Sequence, residues 1–165
     1  MLAKEILLKL YNYHYWATGK IMDCAEGVSQ PQFLAPVDFE HESLRETLFH
    51  ILNAELNWRC ICQGLKEQTP QLHLENFPTV NQLRERWQEE EQRMRSYLSE
   101  LSEDELEGTV QFEDSSGEAT SRPRWILLVQ NLTHSMQHRT EAAAILTSYG
   151  RPPGGLDFID FVAGH

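Results

Sequence analysis

The chain has 165 residues, 41% hydrophobic and 24% charged, and a formal net charge of -11, which is the size and make-up of one domain, residues 1–165, around a single core. The excess of carboxylates repels phosphate backbones and argues against DNA or RNA as a partner. No apolar run approaches the roughly 20 residues that span a bilayer, and Cys24, Cys60 and Cys62, odd in number and without a C-x-x-C pair, argue against a disulfide framework and a thiolate zinc site.

The opening MLAKEILLKLYNYHYW is broken by charges and is no secretory signal, so the protein is expected in the cytoplasm with reduced thiols. Over residues 3 to 26, Ile6, Leu10, Tyr13, Ala17, Ile21 and Cys24 recur at spacings of three and four, which predicts a helix with one buried face. Tyr11, Tyr15 and Met22 lie off that line and give the helix a second apolar stripe. The following VSQPQFLAPVDFE, with two prolines and no period, reads as a loop. Ser43 and Glu46 form an S-x-x-E capping box that opens a second helix, continued by Leu44, Leu48, Ile51, Glu55, Trp58 and Cys62 and stopped at Gly64.

KEQTPQLHLENFP reads as loop, and Thr79 with Gln82 begins a third helix. There Val80, Leu83, Trp87, Met94, Tyr97 and Leu101 occupy a and d heptad positions, with Glu90 the exception. Val110 and Phe112, followed by Ser115-Ser116-Gly117, suggest a short β-hairpin. A fourth helix is predicted from about Ser121 to Tyr149, with Pro123 in its first turn and Gly150 ahead of Pro152-Pro153 as its stop. The tail GGLDFIDFVAGH is apolar enough to pack back on the helices. The fold class is therefore all-α, four helices with a possible hairpin before the last.

His134 and His138 stand four apart on the fourth helix, about 5–6 Å apart at Cβ and within reach of one ion. By spacing alone, H-x-x-x-H reads more readily as two solvent-facing histidines. The stripe Leu127, Asn131, His134, His138, Ala142 and Ile145, and the lack of any charged side chain over residues 125 to 137, favour a helix buried on most sides, where neutral imidazoles need partners. His50 lies on the line Ser43, Thr47, His50, Ala54 and Asn57, and reads either as a satisfied core residue or as a third ligand. Three imidazoles would leave an open position, the pattern of a catalytic rather than a structural site. His14, His41, His73 and His165 are assigned no role, and the four tryptophans read as core or groove-lining. The chain lacks the E-x-x-H pairs of di-iron bundles, the glutamate of H-E-x-x-H, a G-x-S-x-G elbow, a P-loop and G-x-G-x-x-G.

YNYHYWA at Tyr11–Ala17, SLRETLFHILNAELNW at Ser43–Trp58 and RPRWILLVQNLTHSMQHR at Arg122–Arg139 resemble the DinB/YfiT-like helical bundles over nearly the whole chain. The resemblance implies a down-up-up-down four-helix bundle, frequent homodimerisation, and a divalent metal, zinc or nickel, on His50, His134 and His138. Where that family often reads N-H-x-x-H-H-R-G-Q, this chain departs at Thr133, Gln137, Thr140 and Glu141. Glu141 adds a carboxylate one turn from His138. Some members are thiol-dependent transferases or isomerases, which implies a thiol S-transferase acting with a small-molecule thiol and an electrophile. A hydrolase using metal-bound hydroxide and a non-catalytic metal-binding bundle stay open beside it.

Overall fold

The structure is a computed structural model describing residues 2–114 and 116–164; Ser115, expected in the hairpin turn, and His165 lie outside them. Four long helices, α1 (Leu2–Ala25), α3 (Leu44–Cys62), α4 (Val80–Glu100) and α6 (Arg124–Ser148), carry the core. Helix α6 packs on α3 and α1, and α4 packs on the same two. Short helices α2 (Gln30–Leu34), α5 (Glu103–Glu107) and α7 (Phe158–Ala163) join or flank them. Strands β1 (Thr109–Glu113) and β2 (Ala119–Pro123) form an antiparallel hairpin in which Val110 faces Arg122.

Helix ends follow local chemistry. The Ser43 hydroxyl accepts from the Glu46 N–H at 3.1 Å, but the Glu46 carboxylate reaches past Ser43 to the Glu42 N–H at 3.0 Å, so the expected capping box closes one residue early. At the other end the Leu65 N–H bonds to the Cys60 carbonyl and the Gly64 N–H to the Ile61 carbonyl, a Schellman stop that needs the left-handed φ of +71° at Gly64. Gly150, at φ +73°, ends α6 in the same way.

Three expectations are corrected. The loop predicted over residues 28–40 holds α2, because Ser29 and Gln32 form a full capping box with Pro31 in the first turn. A second such box, Ser102 with Glu105, starts the unforeseen α5. Helix α6 begins at Arg124 rather than Ser121, since the chain is still paired in β2 up to Pro123, which serves as the N-cap.

On α1 the predicted line is buried at Ala17 and Ile21, but the buried face as a whole is rotated from it. Ile6 is 52% exposed, whereas Leu7, Tyr11, His14, Thr18, Ile21 and Ala25, spaced four and three, face the core. Two polar residues on that line hid it from a purely apolar pattern. Tyr11, Tyr15 and Met22, read as a spare stripe, are buried within the chain. Glu90, the exception on the heptad, is fully buried on α4 and paired to the Arg59 guanidinium of α3, with a second bond at 3.1 Å. The hairpin, marginal alone, is supported by burial of Val110 and by Phe112 against Trp58, ring centroids 5.9 Å apart. The tail does pack back: Phe158 and Phe161 of α7 stack on Tyr13, whose hydroxyl donates to the Leu156 carbonyl at 2.7 Å. Among the described residues, no helix is long and apolar enough to cross a membrane.

Candidate metal centre

Helices α3 and α6 share the largest helix contact of the molecule, and it brings three imidazoles together. His50 projects from the middle of α3, and His134 and His138 from adjacent turns of α6. Their ring centroids are 4.6 Å apart for His50 and His138, 4.6 Å for His134 and His138, and 4.9 Å for His50 and His134. The Nε2 atoms of His50 and His134 are 3.0 Å apart. Two nitrogens bound about 2.0–2.1 Å from one tetrahedral ion stand about 3.3 Å apart, so this separation suits shared ligation.

A fourth imidazole enters the cluster. His41 lies in the bends between α2 and α3, held there by the Val37 N–H to Glu42 carbonyl bond at 2.9 Å and by the cap of α3. Its ring centroid is 4.0 Å from that of His50 and 5.1 Å from that of His138, and one ligand atom from each of His41, His50 and His138 lies within 4.8 Å of the others. His41 Nε2 and His134 Nδ1 are buried without a hydrogen-bond partner. The orphaned His41 Nε2, beside His50 and His138 in a half-buried cluster, is a feature expected of a site built for a cation.

Electrostatics keep the cluster in ligand form. Burial, reinforced by His41, His138 and His134, lowers the His50 pKa to about 4, and burial followed by His138 lowers that of His134. His50 and His134 are therefore neutral at pH 7 and present lone pairs. His138 Nδ1 lies 2.7 Å from Glu141 Oε2; a carboxylate can only accept, so Nδ1 donates its proton, and in that tautomer the lone pair stands on Nε2. One turn beyond His50 and one turn before His134, a cavity of about 520 Å³ opens between Ala54, Asn57, Trp58, Phe112, Ile126 and Gln130. It is mostly apolar and lies against the hairpin residues Phe112 and Arg122.

The family model described as the DinB family matches residues 1–164. The chain belongs to the DinB family. A crystal structure of a DinB family member protein from Shewanella denitrificans superposes with a TM-score of 0.61 at 16% sequence identity, covering 95% of this chain and 86% of that one, a likeness of fold. No curated protein matches the chain. The DinB family is metal-associated, and His41, His50 and His138, the last oriented by a carboxylate, form a donor set that could hold a metal ion.

Sequence reasoning missed two histidines of this DinB chain. His41, given no role, joins the cluster; it stands outside any helix, where no periodicity could report it. His14, also given none, is fully buried between Glu55 and Arg139. Its Nε2–H donates to Glu55 Oε2 at 2.9 Å, and its Nδ1 accepts from the Arg139 guanidinium, while the Tyr15 hydroxyl donates to Glu55 Oε1 at 2.6 Å. Arg139 follows His138 directly, so this network fixes the rotation of α6 that turns His134 and His138 toward α3. Helix α6 is less enclosed than expected: Trp125 is 41% exposed and Met136 51% exposed, on a face turned away from the histidines.

Proposed function

We propose that the chain is a single-domain, down-up-up-down bundle that holds one divalent ion, zinc or nickel, on His50, His134 and His138 and acts on a small molecule as a thiol S-transferase. The observation that carries this reading is the convergence of three imidazoles from α3 and α6, one helical turn from an apolar cavity. When bound, such an ion lowers the pKa of a coordinated thiol and so supplies nucleophilic thiolate near neutral pH. The chain's own residues orient and receive: Glu141 aims His138, and Trp58, Phe112 and Ile126 offer an apolar wall for an electrophile.

The test is metal analysis of protein purified without a histidine tag, followed by a screen of low-molecular-weight thiols against electrophilic acceptors. One equivalent of zinc or nickel and turnover lost in His134→Ala support the reading. Absence of metal binding, or turnover unchanged by that substitution, overturns it. A second reading, a non-catalytic metal-binding bundle, is favoured by one observation, the nearness of His41, whose imidazole would close the fourth position.

A further inference from the structure

We propose that His41 is an exchangeable fourth ligand, which closes the cluster of His50, His134 and His138 at rest and yields its position to an incoming anionic ligand. The inference rests on the metal-binding reading above and adds a residue to it. Three observations converge on His41. Its ring stands 4.0 Å from His50 and 5.1 Å from His138, centroid to centroid, and its ligand atom lies within 4.8 Å of theirs. Its Nε2 is buried and has no hydrogen-bond partner, although every hydrogen bond to that nitrogen lost on burial costs about 1–3 kcal/mol. Among the described residues no group satisfies it, and the rings beside it are those of His50 and His138.

The backbone explains why this ligand would exchange where the others would not. His50, His134 and His138 are fixed by helices whose carbonyls and N–H groups are bonded turn to turn, and His138 is further tied to Glu141. His41 sits among bends, and the hydrogen bonds nearby belong to Val37, Glu42 and Ser43. Rotation about its side-chain bonds withdraws the ring without breaking a helix. The cavity lined by Ala54 and Gln130 lies one helical turn from His50 and His134, and the His41 segment does not line it.

The experiment uses cobalt(II) as the probe in the full-length protein and its His41→Ala and His50→Ala variants. Visible absorption reports coordination, and competition with a chromophoric chelator reports affinity. In His41→Ala, cobalt should remain bound with affinity lowered roughly tenfold or more, on the scale that even outer-shell changes produce. Azide should then perturb its spectrum at a concentration at least about tenfold below that needed for the parent, since the fourth position is already free. His50→Ala should lose stoichiometric binding. Cobalt affinity, spectrum and azide response all unchanged in His41→Ala, with binding lost in His50→Ala, would remove His41 while leaving the three-histidine site in place. A parent protein that binds no cobalt would overturn both. X-ray absorption of the zinc-loaded parent gives an answer that depends on no variant: four imidazole nitrogens are expected, and three with one oxygen would refute the proposal.

Discussion

Glu141 shows how much a single position can alter a site without being a ligand. Its carboxylate sets the tautomer of His138 at 2.7 Å, and outer-shell partners of this kind are worth about 10–100-fold in metal affinity. Glu141→Ala should lower affinity by that factor in chelator competition, and Glu141→Gln by less, because the amide oxygen still accepts. His14 makes a different forecast. Burial lowers its pKa, partly offset by Glu55, and its Nδ1 faces a guanidinium that can only donate. The folded state therefore binds that proton less readily than the unfolded chain, whose histidines titrate near 6.5. Stability is fully present above that value and is lost as pH falls below it toward the lowered pKa. Urea unfolding of the metal-free protein over a pH series should show this decline, and His14→Gln, less stable at pH 7, should show a smaller one.

At the scale of elements, the long helices were legible because each carries an apolar stripe at helical spacing, with Ser43, Thr79, Gly64 and Gly150 marking ends that the structure uses. The pairing of His50 with His134 and His138 was legible only as an alternative, since a pattern shows which face of α3 and α6 a residue occupies and not which faces meet. Polar core residues were the blind spot: His14 and Thr18 on α1 hid the buried line, and Glu90 looked like a flaw in the heptad. Glu90 is instead half of a buried ion pair joining α4 to α3. Arg59→Met leaves that carboxylate with Arg86 at 3.4 Å as its remaining cation, so the destabilisation should fall near the lower end of the range for breaking such pairs, about 3 kcal/mol. That corresponds to a drop of roughly 6–12 °C in Tm. Arg59→Met with Glu90→Leu should recover most of the loss, and a double variant no more stable than the single one would contradict this account of the pair.

The whole molecule presents a face that the packed helices leave uncovered. Ile6 on α1 with Trp125 and Met136 on α6 are large apolar side chains in water, and the hollows beside them are lined by Leu10 and Val129. A second copy of the chain is the expected occupant, a reading that now rests on these residues rather than on the buried Tyr11, Tyr15 and Met22. Sedimentation at tens of micromolar should give a dimer, and Met136→Glu with Trp125→Glu should give a monomer of unchanged helicity. Nucleic acid is not expected on any face: with a net charge of -11, duplex DNA should show no binding at physiological salt.

The contact between His50 and His134 spans 84 positions of the chain. An ion shared by these two helices would be a reversible cross-link, shutting a long loop of chain much as a disulfide does but with an affinity in place of a covalent bond. Its grip would follow mass action, adding about 2.7 kcal/mol when free metal stands at 100 times Kd. Stripping the ion with a chelator should then lower the melting temperature by an amount set by the metal concentration, and amide exchange should quicken first along the seam between α3 and α6. For this chain a chelator would play the part that a reducing agent plays for a secreted protein.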